Sequence, residues 1–311
     1  MAENSRTEMR KVTLNDRFRG SLLGLAVGDA VGTTVEFRPK GDFDPVTDMT
    51  GGGPFGLEPG QWTDDTSMAL CLATSLLERG GFDARDQIAR YCRWWKTGYL
   101  SSTGACFDIG NTVADALQRF RETGEPMSGS DDPRSAGNGS IMRLAPVPMF
   151  FFPDIEAVEA RSAESSGTTH GALECVDACR LFGRILCRAL LGMSREAVAF
   201  GDRDLFSGAS RIAAIARGEY AAKPEREVRG TGYVVESLEA AMWCFVNTAS
   251  FEDATLRAVN LGDDADSTAA VCGQVAGAFY GASRIPPHWL ERLAMREEIT
   301  QLADRLCARP S

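Results

Sequence analysis

The stretch LNDRFRGSLLGLAVGDAV, residues 14–31, decides the fold. Phe18, Leu22, Leu25 and Ala26 recur at three- and four-residue spacings, the period of a helix with one apolar face. The same grammar extends along the chain. Residues 67–77 read as an apolar helix, 83–95 and 112–120 as amphipathic helices, and 173–191 and 233–246 as longer ones. Residues 269–280 are rich in Ala, Gly and Val, which suits close helix packing. The run Ile285, Pro286, Pro287 breaks the chain, and residues 290–306 read as one final helix. Alternating Val, Ile and Thr runs between turn signals are scarce. The expectation is an all-α, compact helical bundle. Two loops rich in Gly, Pro and Ser (residues 51–60 and 127–139) interrupt the pattern, but helical patterning resumes on both sides, so neither reads as a domain linker. A flexible segment is expected over residues 1–12, followed by one domain over residues 13–308.

Bulk properties exclude several functions. Of the 311 residues, 44% are hydrophobic and 24% charged, the balance of a soluble globular chain. A net charge of −10 argues against a nucleic-acid partner, which would call for a basic surface. The polar N-terminal residues lack an apolar stretch behind their basic side chains, and the longest apolar runs are too short to span a bilayer. The chain is therefore expected to be cytoplasmic, with no membrane partner. Nine cysteines occur without a Cys-x-x-Cys pair, which fits reduced core thiols. With only two histidines, His170 and His288, a zinc site built on histidine and cysteine is disfavoured.

Two acidic bursts carry the chemistry. Thr63, Asp64, Asp65, Thr66 and Ser67 precede one apolar helix; Asp263, Asp264, Ala265, Asp266, Ser267 and Thr268 precede another. Helix capping explains one or two acceptors per helix, since Asp, Ser and Thr satisfy free amides there. It does not explain five carboxylates in two bursts. Clustered like charges repel, and cations would remove that cost. Asp264 and Asp266 would point about 200° apart in a regular helix, so converging on one ion needs non-helical backbone between them. Oxygen-only ligands favour magnesium, manganese or calcium over zinc or copper.

Four segments, in order, resemble the ADP-ribosylglycohydrolase family, which includes the dinitrogenase-reductase-activating glycohydrolases and the ADP-ribosyl-acceptor hydrolases. They are GSLLGLAVGDAVGTTVEF (residues 20–37), GQWTDDT (60–66), AGNGSIMR (136–143) and NLGDDADSTAA (260–270). The resemblance implies an orthogonal all-α fold and two divalent cations, Mg2+ or Mn2+. It assigns Thr63, Asp64, Asp65, Asp264, Asp266 and Ser267 to the metals. Ser267 stands where threonine is usual, and Asp263 where glycine is frequent; Asp263 is left as an outer or surface residue. Glu36 is placed near the metals or the substrate ribose, although a lone helix-end glutamate also suits water. Asp108 matches an aspartate beside the scissile bond in the arginine-directed members, although it also suits the N-cap of the following helix. Asn138, Gly139 and Ser140 resemble the loop that binds ADP-ribose, against the plainer reading of a glycine turn. His170 has a counterpart in some members, against the plainer reading of a structural histidine.

The implied function is hydrolysis of the C1″ glycosidic bond of ADP-ribose on a protein side chain, with arginine favoured because Asp108 suits a guanidinium. Glu36 and Asp108 are the catalytic candidates. The implied partners are an ADP-ribosylated protein or a small ADP-ribose compound, met by a monomer. Two alternatives stand beside it: hydrolysis of serine-linked or small-molecule ADP-ribose, and a catalytically silent ADP-ribose-binding relative.

Overall fold

Glycine spacing builds the centre of the molecule. In the computed structural model, which describes residues 12–309, helix α1 (Leu14–Gly32) carries Gly20, Gly24, Gly28 and Gly32 one turn apart. The other helices, in chain order, are α2 (Asp64–Arg79), α3 (Ala84–Thr97), α4 (Asn111–Thr123), α5 (Pro146–Phe151), α6 (Ile155–Gly167), α7 (Leu173–Leu190), α8 (Arg195–Phe200), α9 (Ser210–Ala216), α10 (Val234–Val246), α11 (Phe251–Val259), α12 (Ala265–Tyr280), α13 (Pro287–Arg292) and α14 (Arg296–Cys307). Among the described residues there is no β-strand, only three isolated bridges. The fold is all-α, as the periodicity predicts. The expected flexible segment falls largely on residues 1–11, which lie outside the described residues.

The α1 glycines let a second backbone touch the first. A β-carbon on Gly20 would stand 2.1 Å from the Gly277 carbonyl oxygen, one on Gly24 2.3 Å from that of Gly273, and one on Gly28 2.2 Å from that of Ala269. Gly32 would meet the Asp266 Cα at 2.4 Å. As the α1 number rises, the α12 number falls, so the two helices pack antiparallel with no side chain between them. This contact brings the C-terminal end of α1, and Glu36 just beyond it, beside the N-terminal turn of α12. Gln274 on α12 then fixes a third segment. Its Oε1 accepts from Ala145 N at 2.8 Å, and its Nε2 donates to Met142 O at 2.7 Å and Ile141 O at 3.1 Å. That holds the chain following Asn138 and Gly139 against the same helix.

Several boundaries differ from expectation, and three of them matter most. α2 begins at Asp64 rather than near Ser67, and α12 at Ala265 rather than Ala269. The first burst therefore occupies the opening turn of α2, and the second runs from the N-cap Asp264 into the opening turn of α12, which apolar periodicity cannot reveal because those turns are polar. The single final helix is two. Met295 takes a left-handed conformation (φ 53°), and Ala294 N donates to Gly60 O at 3.0 Å, which ends α13 and restarts the chain as α14.

Candidate active site

The first turn of α2 is satisfied from another helix. Asp29, fully buried on α1, accepts at one oxygen from Thr63 N (2.8 Å) and Thr63 Oγ1 (3.0 Å). Its other oxygen accepts from Thr66 N (3.0 Å) and Thr66 Oγ1 (2.6 Å). Asp29 thus does the capping that α2's own residues would otherwise supply. Asp64 and Asp65 are left free of that duty, and Asp65 Oδ1 is buried without a hydrogen-bond partner. Asp29 carried no assignment in the sequence. Its one signal was a carboxylate on an otherwise apolar helix face.

The start of α12 is built differently. Asp264 sits at the N-cap with φ −95° and ψ 69°, outside the helical region, and makes no capping hydrogen bond. The non-helical backbone that lets Asp264 and Asp266 converge is present at that residue. Asn138 Nδ2 donates to Asp264 Oδ2 at 2.8 Å, and Asp266 Oδ1 accepts from Ser267 N at 2.8 Å. The two bursts meet in space: Thr63 Oγ1 lies 3.3 Å from Asp266 Oδ2, and Ser267 Oγ lies 3.3 Å from Asp65 Oδ2. Asp263 does not line the cavity. Its backbone pairs with Phe37 and Arg38 at 2.8 Å each way and so steadies the residues after Glu36.

These groups face a cavity of about 450 Å³, a size usual for small-molecule sites. Glu36, Asp64, Asp108, Asn138, Gly139, His170, Asp264, Asp266 and Ser267 line it; Thr63 and Asp65 lie buried behind. Ser140 is buried and does not line the cavity. Asp108 does not cap α4, because Gly110 occupies that N-cap. Asp108 instead holds a left-handed backbone (φ 59°) and reaches Glu36 and Asp266, the carboxylate oxygens of the three lying within 4.8 Å of one another. Non-glycine residues in that region are strained, a cost concentrated at functional sites. Phe37 is likewise left-handed (φ 62°), 64% exposed at the cavity rim, and in edge contact with Phe55, which packs on Phe107. Through Phe55 the loop over residues 51–60 reaches the rim without lining the cavity.

No Lys or Arg lines the cavity, so the acids have only one another for company. Burial pushes Glu36 up to about 9, helped by the neighbouring Asp108 and Asp264 charges. Burial and the Asp29 and Asp264 charges push Asp108 to about 7. Asp29 is raised to about 6 by burial, against the hydrogen bonds from Thr66 and Thr63. Asp64, Asp65, Asp264 and Asp266 are raised by burial first; neighbouring carboxylates add to this for Asp64, Asp65 and Asp266, while hydrogen bonds oppose it at Asp264. A low-dielectric pocket of carboxylates is unstable in the ionised form unless positive charge enters. The donor set is oxygen only, and Asp65 Oδ1 and Glu36 Oε2 are buried without partners. The residues fit hard divalent cations.

The chain is similar to known proteins along nearly its whole length. The profile described as ADP-ribosylglycohydrolase matches residues 10–311. The chain is 47% identical over 291 residues to "ADP-ribosylarginine hydrolase Tri1" of Serratia proteamaculans (strain 568), covering 94% of this chain and 79% of that protein. It is 32% identical over 305 residues to "ADP-ribosyl-[dinitrogen reductase] glycohydrolase" of Rhodospirillum rubrum, covering 95% and 97%. A solved structure titled "ADP-ribosylglycohydrolase-related protein complex" superposes with a TM-score of 0.84 at 42% identity, covering 94% of this chain and 98% of that one.

Proposed function

Since the chain belongs to the ADP-ribosylglycohydrolase family and is an ADP-ribosyl hydrolase, we propose that it removes ADP-ribose from arginine side chains with the help of two divalent cations. The observation that carries this reading is the meeting of Glu36, Asp108 and Asp266 in one cavity wall, with Asp108 held in a strained conformation toward the others. The arginine preference has two supports: two relatives that are each 47% identical are called ADP-ribosylarginine hydrolases, and the cavity mouth combines a carboxylate with an exposed aromatic ring. A guanidinium hydrogen-bonds to the first and stacks on the second.

Thr63, Asp64, Asp65, Asp264, Asp266 and Ser267 would hold the cations, Mg2+ or Mn2+. When bound, such cations orient a water, lower its pKa and polarise ribose hydroxyls. Asp29 keeps the α2 turn in place from behind. Asn138 orients Asp264, and with Gly139 and His170 it forms the wall against which ADP-ribose lies. Ser140 is buried away from that wall. Glu36, which the charge of bound cations would keep ionised, takes a proton from the attacking water as its oxygen bonds to C1″. Asp108 faces the leaving guanidine, hydrogen-bonds to it as the C1″–N bond breaks, and delivers the proton that nitrogen needs. The products are ADP-ribose and an unmodified arginine. Nine free cysteines, seven of them buried, suit a reducing cytoplasmic setting.

The test is a linkage panel with wild type and Asp108→Ala. We expect wild type to release ADP-ribose from arginine-linked peptide in preference to serine-linked peptide. Asp108→Ala should slow the arginine reaction about a hundredfold, in the range for loss of one acid–base group, with metal binding kept. Cleavage of the serine linkage alone, or an unchanged rate in the variant, would remove the role given to Asp108.

A further inference from the structure

Arg143 is fully buried, yet among the described residues no carboxylate pairs with it. Its guanidinium donates to Gly139 O at 2.9 Å and to Thr169 Oγ1 at 2.6 Å, lies 3.8 Å from Met68 Sδ, and rests 4.7 Å over the Tyr91 ring. The second of these bonds has a consequence one residue further on. A guanidinium only donates, so the Thr169 hydroxyl accepts from Arg143. That hydroxyl's other contact is His170 Nδ1, at 2.8 Å. The hydroxyl oxygen has lone pairs for both groups, but if it accepted from both, its own buried proton would have no acceptor; donation to the ring nitrogen satisfies all three groups. Nδ1 is therefore an acceptor, and the ring proton of the neutral imidazole sits on Nε2.

We infer that Arg143 and Thr169 are positioning residues that lock His170 in the Nε2–H tautomer, so that it offers the cavity a neutral donor for an oxygen of the bound ligand. The inference rests on the reading of that cavity as the ADP-ribose site. The backbone that carries the ring is held as well. His170 N donates to Ser166 O at 2.7 Å, Ser166 Oγ donates to His170 O at 2.8 Å, and Gly171 N donates to Ser130 O at 2.9 Å. The ring lies flush with Gly139, where a β-carbon would stand 2.8 Å from its Cε1. Burial and the nearby Arg143 charge hold the imidazole down to about 3, so it stays uncharged beside the acids. A donor of fixed direction suits ribose and phosphate oxygens, which present lone pairs whichever way they turn. Arg143 also binds the Gly139 carbonyl, so one guanidinium sets both the histidine and the loop it packs against.

The chain has only two histidines, which makes the tautomer directly readable. Full-length protein labelled with 15N-histidine would be examined by long-range proton–nitrogen spectra between about pH 5 and 8, with His288→Gln assigning the signals. Wild type and Thr169→Ser should show His170 protonated on Nε2 alone throughout. Thr169→Val should show mixed tautomers and bind ADP-ribose about tenfold more weakly, the scale of one misdirected hydrogen bond. The serine variant should restore both. A wild-type ring protonated on Nδ1 would overturn the relay. So would a valine variant with wild-type spectrum and affinity. Should the valine variant fail to fold, the wild-type and serine spectra still decide the tautomer. Wild type that shows the Nε2–H ring but fails to bind ADP-ribose would refute the functional reading of the cavity instead.

Discussion

Two of the groups of partly or wholly buried charge among the described residues are balanced in opposite ways. On α7, Arg180, Arg184 and Arg188 meet Asp177 of the same helix, Glu159 of α6 and Asp202, which follows α8. Arg180 reaches Asp177 at 2.7 Å, Arg184 reaches Glu159 at 2.8 Å and Asp202 at 2.6 Å, and Arg188 also binds Asp202. Each charge there has its counter-charge in the chain. At the cavity, Asp29, Glu36, Asp64, Asp65, Asp108, Asp264 and Asp266 converge without a lysine or arginine in the wall. The first arrangement completes itself on folding. The second has no such partners in its wall, an imbalance that the proposed cations would offset. Acid density alone does not separate the two; the presence or absence of paired arginines does.

The sharpest way to break the comparison is to remove one carboxylate from the unbalanced group. Asp266→Asn should lower kcat/KM for arginine-linked ADP-ribose on the order of a thousandfold, by loss of a ligand and of the cation's work. Metal titration should show weaker binding in parallel. Full activity with full metal occupancy would return Asp266 to a structural role.

The balanced group should respond in stability instead. Asp202→Asn leaves Arg184 and Arg188 short of a charge partner, and should cost about 3 kcal/mol in denaturant unfolding. Magnesium dependence and the rate per folded molecule should stay as in wild type. A lost metal response in Asp202→Asn would mean the two groups are coupled.

Acidity gives a third contrast. In the metal-free protein, Asp29, Asp108 and Glu36 hold protons that the unfolded chain releases at ordinary carboxyl values. Their contribution to stability is therefore full in acid, and is lost as pH rises through about 6, 7 and 9 in turn. Melting temperature without metal should fall from mildly acidic to alkaline pH, and added magnesium should reverse the trend by favouring the ionised cluster. A metal-free profile that rises over this range would contradict the unbalanced reading.

The smallest expected effect is at the rim. Phe37→Ala should weaken the KM for arginine-linked substrate by about 0.5–1 kcal/mol, the scale of an exposed cation–π contact. Binding of free ADP-ribose should hold. Equal losses for both ligands would place the ring against ADP-ribose rather than arginine.

Much of this was legible in the sequence, for physical reasons that also set the limits. Three- and four-residue apolar spacing identified α1, α3, α4, α7 and α10 because those helices have one face in and one face out. Helices of six or seven residues, such as α5, α8 and α9, are too short to show a period. The acidic bursts were visible as composition, but the points at which α2 and α12 begin within them were not, because a polar helical turn looks like a loop. Asp29 was hidden for a different reason: a role as a cap for a distant helix exists only once α1 and α2 meet. Ser140 illustrates the converse, since adjacency to Gly139 did not mean facing the same cavity. The α1 glycines at four-residue intervals were readable all along, yet only the α12 partner shows what they are for.

The most direct test of the account is release of ADP-ribose from an arginine-modified peptide by the wild-type protein, with magnesium and with a chelator. The account predicts rapid release with magnesium, loss of release on chelation and return on magnesium repletion. Undiminished release in chelator, or no release from arginine under any metal condition, would contradict it.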